Sequence, residues 1–215
     1  MPSIALRAFV YVDGFNLYYR ALKRTRYKWL DLHALSQDLL GPQSTIEGIR
    51  YFTAPVSGKE DRETAIRQQR YLLALGTLPK LTVHLGNFLT SVKVRQLETP
   101  LPDGTTHVRV LHTEEKGADV NLATHLVNDA WEDRFDVALI FSQDTDLLEP
   151  VRLVQDKLGK KLGVVVLDGQ GPGKLAAAGG FRKHLTHSRL AAAQLPPVVS
   201  FGRKGKMVHQ PEEWK

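Results

Sequence analysis

Apolar positions in this chain fall into short runs and helical stripes that take turns. Ala8-Phe9-Val10-Tyr11-Val12 is a compact apolar run, so residues near 5–12 are expected to form a first strand. A helical pattern follows from 15 to about 40, broken around Arg26-Tyr27-Lys28. Ile46 to Ala54 reads as a second strand. Lys59 to about Gly76 reads as a helix with Ile66, Leu72, Leu73 and Leu75 on or near its apolar side and Gly76 as its stop. Leu81–Leu85 is a third strand. The spacing predicts a helix from Asp119 to Trp131 that buries Val120, Ala123, Val127 and Ala130. Strand 136–142, a helix from Leu147 to Leu158 closed by Gly159, and a fifth strand at Leu162–Leu167 complete the series. Strands alternating with helices imply parallel βαβ units with right-handed crossovers.

One segment breaks the alternation. Phe88–Leu97 and Thr105–His112 both alternate apolar and polar residues, and Pro102-Asp103-Gly104 between them reads as a turn. The expectation is a β-hairpin at 88–112. Val92, Val94, Val108 and Val110 would share one face, and Lys93, Arg95, His107 and Arg109 the other. That basic face is either solvated or a flap that grips backbone phosphates; it would serve a dimer as easily as a substrate. The tail 196–215, rich in Pro, Gly and Lys, is expected to pack on a 1–195 domain or to be loosely ordered.

Composition narrows the chemistry. With 215 residues, one sizeable core in one α/β domain is the default. There is no Cys, which excludes disulfides, thiolate zinc sites and Cys nucleophiles. No stretch approaches a membrane span, and the N-terminal apolar run leads into Asp13 without a cleavage pattern, so the cytoplasm is the expected location. The net charge is +6. A basic surface around an acidic centre suits a polyanion.

That acidic centre is written at strand ends. Val137-Ala138-Leu139-Ile140-Phe141 runs into Ser142-Gln143-Asp144-Thr145-Asp146, and the first strand runs into Asp13-Gly14-Phe15-Asn16. In an open parallel sheet, a site forms beyond the carboxyl ends of strands where strand order reverses. Asp13 and the Asp144/Asp146 pair would meet there if their strands are neighbours. Asp119 opens the helix that feeds the second of these strands; the hairpin insertion could bring that helix start to the same end. Close carboxylates raise one another's pKa, and Mg²⁺ or Mn²⁺ with oxygen ligands is the natural compensation. Each acid also has a plain structural role: an Asx turn for Asp13, helix capping for Asp119, Asp144 or Asp146. A cap explains one acid per helix and leaves the pairing of acids at two strand ends unexplained.

Other features carry less. Gly169-Gln170-Gly171-Pro172-Gly173-Lys174 lacks the spacing of a phosphate loop, and Pro172 removes an amide donor, so it is read as an ordinary loop. His125 is read as a packing or surface residue. Arg20, Lys23, Arg24, Arg26 and Lys28 interleave with Tyr18, Tyr19, Tyr27 and Trp29. This mix either contacts single-stranded nucleic acid or sends its aromatics into the core.

Val12-Asp13-Gly14-Phe15-Asn16-Leu17-Tyr18, Tyr51-Phe52-Thr53-Ala54, Glu114-Glu115-Lys116-Gly117-Ala118-Asp119 and Ser142-Gln143-Asp144-Thr145-Asp146-Leu147 together resemble the motifs of the NYN domains, relatives of PIN-domain nucleases. Gln143 stands where Gly or Asn is common, and Leu147 where Phe is frequent. The resemblance implies a PIN-like three-layer α/β/α sandwich with a five-stranded parallel sheet in the order 3-2-1-4-5. It also implies a Mg²⁺- or Mn²⁺-dependent ribonuclease, with Asp13, Asp119, Asp144 and Asp146 as the acidic metal site. Asn16 would orient a ligand or phosphate and Ser142 would support the site. Glu115 is a weaker candidate for a further acid. Lys116, Arg20, Lys23, Lys93, Arg95 and Arg109 are the candidate phosphate contacts. The alternatives are a non-catalytic RNA-binding module and another phosphotransfer enzyme on the same site. Either a monomer or a homodimer fits these residues.

Overall fold

The computed structural model describes residues 5–58, 61–167 and 173–215. In chain order it contains β1 (Leu6–Asp13), α1 (Gly14–Leu17) widening into a π turn over Tyr18–Leu22, α2 (Leu32–Leu40), β2 (Ser44–Thr53), α3 (Arg62–Leu75) and β3 (Leu81–Leu85). A hairpin of β4 (Asn87–Gln96) and β5 (His107–Lys116) follows, then α4 (Ala118–Trp131), β6 (Val137–Phe141), α5 (Leu148–Asp156) and β7 (Lys161–Leu167). The chain closes with α6 (Lys174–Ala178), β8 (Phe181–Leu185), α7 (His187–Ala192), β9 (Val198–Phe201) and β10 (Lys206–His209).

The central sheet has six strands, all parallel, in the order β3-β2-β1-β6-β7-β8. This corrects the expectation of five strands in the order 3-2-1-4-5. The added edge strand β8 pairs with β7, and its Phe181 ring lies over Gly163, where a Cβ would come within 2.2 Å of the ring. Phe181-Arg182-Lys183-His184-Leu185 buries only Leu185 fully, so its sequence carries almost no strand signal.

Sheet faces follow from strand alternation. Ala8, Val10 and Val12 of β1 join a core with Leu35 and Leu39 of α2 and Ala74 and Leu75 of α3. Phe9 and Tyr11 join the opposite core with Leu122 and Leu126 of α4 and Val151 and Val154 of α5. Three layers result. Both faces of the sheet are covered, which is why β1 and β6 read as continuous apolar runs.

Three expected faces are displaced. On α4 the buried set is Ala118, Leu122, Leu126, Asp129 and Ala130, while Val120 is 69% exposed. The helix turns its i, i+4, i+8 leucine and alanine row inward and leaves Val120 to solvent. On α3 the buried residues are Tyr71, Ala74 and Leu75, with Leu73 exposed. In the hairpin, Val94 pairs with Arg109, Arg95 with Val108 and Lys93 with Val110. Val92 and Val94 therefore share a face with His107 and Arg109, not with Val108 and Val110. Alternation fixes the faces within each strand; the ten-residue connection between them fixes the register, and sequence alone left that open.

The tail is folded. β9 and β10 pair antiparallel and pack beside α3. The fully buried Trp29 donates its indole N–H to the Pro196 carbonyl at 2.8 Å, and Trp214 lies 6.3 Å from Trp29 and 6.1 Å from Tyr71, centroid to centroid. Of the glycine-rich stretch, residues 169–172 lie outside the described residues; Gly173 begins α6. Among the described residues, no helix is long and apolar enough to cross a membrane.

Candidate active site at the carboxyl edge of the sheet

β1 and β6 are neighbours, and Val12 is in register with Phe141. The next residues are Asp13 and Ser142, so both chain segments leave the sheet together. Asp13 is 5% exposed. Its Oδ1 accepts the Asn16 backbone N–H at 2.9 Å, and its Oδ2 accepts the Ser142 hydroxyl at 3.0 Å. The Ser142 oxygen in turn accepts the Asp144 N–H at 3.1 Å, and Asp144 Oδ1 accepts the Asp146 N–H at 3.0 Å. Asn16 Oδ1 accepts the Gln143 N–H at 3.3 Å, tying the end of β1 to the loop after β6. The capping roles of Asp13 and Asp144 are real, and they coexist with the gathering of acids.

Asp119 arrives by another route. β3 ends at this edge, and the hairpin leaves from it and returns to it. Gly117 then takes φ +102 as the N-cap of α4, a conformation suited to glycine. Asp119 sits in the first turn and is not the cap. Glu115 Oε1 accepts the Ala118 N–H at 3.1 Å. Asp13, Glu115, Asp119 and Asp144 line one cleft of about 390 Å³ together with Asn16 and Arg20. Asp146 is exposed and does not line the cleft, but its charge reaches Asp119.

The acids act on one another. Burial, then the negative charges of Asp13, Asp144 and Asp146, push Asp119 up to about 6. Burial raises Asp13; the Asn16 and Ser142 hydrogen bonds oppose the rise, and Asp144 and Glu115 add to it. Glu115 is also raised, first by burial and then by Asp119. Among the described residues, no group of three or more His, Cys, Asp or Glu is assembled as a metal shell. The carboxylates are thus coupled through the field.

The family profile described as NYN domain matches residues 7–183. This chain belongs to the NYN domain family. It is 30% identical, over an alignment covering all of this chain and 77% of the relative, to 6-hydroxy-3-succinoylpyridine 3-monooxygenase HspA of Pseudomonas putida (strain DSM 28022 / S16). Its fold is similar to the crystal structure of VPA0982, a protein of unknown function from Vibrio parahaemolyticus RIMD 2210633, with a TM-score of 0.52, 14% identity, and coverage of 86% of this chain and 96% of that one. NYN membership points to a nuclease-type function acting on nucleic acid.

The basic residues of this NYN domain are divided. Arg20 lines the acid cleft and donates to Gln143 Oε1 at 3.2 Å. The Lys23 ammonium lies 4.8 Å from the Tyr19 ring centre, beside a second cavity. Lys93 and Lys116 flank Glu114 at 2.9 and 3.3 Å, and their hydrogen bonds, Lys93 first, hold its carboxyl near about 2. Arg95 and Arg109 are exposed on opposite hairpin faces. Phe15 and Phe88 are the part of the cleft that sequence reasoning missed, while Tyr19 is one of the aromatics that the sequence offers to nucleic acid. Phe15, Tyr19 and Phe88 line it, and the Phe88 ring of β4 meets Phe15 edge-on at 5.5 Å. His125 packs against His84 at 4.2 Å and Phe52 at 5.8 Å.

Proposed function

We propose that this NYN domain is a ribonuclease that hydrolyses RNA phosphodiester bonds with a divalent cation. The observation that carries the reading is the gathering of Asp13, Asp119 and Asp144 in one cleft, with Asp119 within reach of the Asp146 charge and titrating near 6. The donor set is all oxygen, which fits a hard ion such as Mg²⁺ or Mn²⁺ and no soft one. Asp13, Asp119, Asp144 and Asp146 would hold it. When bound, such an ion lowers the pKa of water and offsets charge on phosphate oxygens.

The remaining roles belong to the chain. Ser142 and the Asn16 amide fix the rotamer of Asp13 through both of its oxygens. Asn16 holds the loop carrying Asp144 through Gln143. Arg20 offers a guanidinium at the cleft wall to a phosphate. Phe15, Tyr19 and Phe88 offer ring faces to unstacked bases.

The test is cleavage of end-labelled single-stranded and hairpin RNA with Mn²⁺, Mg²⁺ or EDTA. Metal-dependent cleavage should fall at least about a hundredfold in Asp144→Asn while circular dichroism stays native. Salt-sensitive RNA binding with no cleavage at any metal concentration would move the assignment to a binding module. A second reading rests on the similarity, over all of this chain and 77% of the relative, to a monooxygenase: oxidation of a small aromatic compound with O₂ and a two-electron reductant. Oxygen uptake with a hydroxypyridine substrate, and RNA left intact, would favour it.

A further inference from the structure

Beside the acid cleft lies a second cavity of about 300 Å³. Phe15 and Tyr19 line both, so one aromatic wall separates them. The floor comes from β2: Tyr51 and Thr53, two apart on one strand, face into it. Tyr18 of the π turn, Tyr71 of α3 and Trp214 of the tail stand around it. Gly14 allows the close fit, since a Cβ there would come within 2.6 Å of the Tyr51 hydroxyl and 2.9 Å of the Phe52 carbonyl.

Some of its polar groups are already engaged. Gln68 bonds the backbone at Val56 and Ala54, 2.8 and 2.9 Å away. The Tyr71 hydroxyl donates to the Leu30 carbonyl at 3.0 Å. Arg67 pairs with Glu213 at 3.0 Å and Asp61 at 3.4 Å. Others are not engaged. Tyr51 is 7% exposed and Thr53 is 2% exposed, yet neither hydroxyl has a hydrogen-bond partner among the described residues. Both hydroxyls open into the cavity, where they can bond an occupant. Lys28 also lines the cavity, donates to the Thr25 carbonyl, and has no carboxylate partner among the described residues. Lys23 stands at the same cavity.

We propose that this cavity binds a planar aromatic ring carrying an anionic group. The ring lies among Tyr18, Tyr71 and Trp214; its polar edge meets the Tyr51 and Thr53 hydroxyls; its anion meets the Lys28 and Lys23 ammonium groups. Burial and the charge of Asp13 raise Tyr51, which keeps it a donor at neutral pH. Burial and Arg67 lower Lys28, the direction an incoming anion would reverse. Two sources offer this chemistry: a free aromatic carboxylate, or a nucleotide whose base stacks in the cavity and whose phosphate meets Lys28 and Lys23.

Nicotinate and uridine 5′-monophosphate separate these sources. Each is titrated into the folded full chain in EDTA, with binding read by calorimetry and by tryptophan fluorescence, since Trp214 forms part of the wall. Saturable binding is expected for at least one probe, weakened roughly tenfold by Lys28→Met and measurably by Tyr51→Phe, which keeps the ring. Tighter nicotinate identifies the free acid; tighter nucleotide identifies the nucleic-acid chain. The titrations need neither metal nor RNA cleavage, so a failed nuclease assignment leaves this test standing. No saturable binding into the millimolar range, or binding indifferent to both substitutions in proteins with native circular dichroism, overturns the proposal.

Discussion

Burial and three neighbouring carboxylates hold Asp119 near pH 6, against an ordinary 3.8 in the unfolded chain. Between those values the folded state keeps a proton that the unfolded state has lost. The contribution of Asp119 to stability without metal therefore declines as pH rises from about 4 to about 6 and is flat above. Asp119→Asn removes the share of this dependence that Asp119 carries, leaving that of Asp13 and Glu115. Its melting temperature in EDTA should exceed that of the wild type at pH 7 and meet it below about pH 4. Added Mg²⁺ or Mn²⁺ should stabilise the wild type more above pH 6 than below, because the proton no longer competes for the carboxylate. A difference between variant and wild type that is constant with pH would contradict this. Asp13, Asp144 and Asp146 were legible as candidates because each follows an apolar run that could only be a buried strand. Phe15 and Phe88 were not, because aromatic residues read first as core.

At the scale of elements, the hairpin positions the site. Gly86 joins β3 to β4 where a Cβ would meet Glu115 Oε1 at 2.3 Å and the Lys116 carbonyl at 2.5 Å. Gly86→Ala must push the end of β5 away, at a cost of about 1–3 kcal/mol. It also disturbs the Glu115 cap that starts α4, so both the denaturation midpoint and RNA cleavage should drop. Gly104→Ala, at φ +86 with open space around it, should cost about 1–2 kcal/mol from backbone strain and leave cleavage per folded molecule unchanged. Equal effects of the two substitutions on cleavage would mean that the hairpin does not position the cleft. The hairpin was visible as two alternating strands around a turn. Its register was not, because Val92-Lys93-Val94-Arg95 and His107-Val108-Arg109-Val110 are amphipathic in either pairing.

At the scale of the molecule, the last residues complete the core. Val208 is 5% exposed, and Pro196 supplies the acceptor for the buried Trp29 indole. A chain ending at Leu195 leaves that donor unpaired, a loss of about 1–3 kcal/mol, and uncovers apolar surface on α3 as well. Its urea midpoint should fall clearly below that of the full chain, and a midpoint unchanged from the full chain would show the tail to be dispensable.

The sequence by itself determined the α/β alternation, the two strands that end in acids, the hairpin's existence and the NYN motifs, because each is a local pattern of side chains read against strand and helix periods. Tertiary structure decided the rest. The sixth strand exists because Gly163 leaves room for Phe181. Which stripe of α4 faces inward is settled by the second core beneath it, into which Leu122 and Leu126 pack. Asp119 reaches the acid cleft because β5 returns to the edge that β3 left. The aromatic cavity joins β2, the π turn, α3 and the last residues of the chain, positions whose nearness only the folded chain creates.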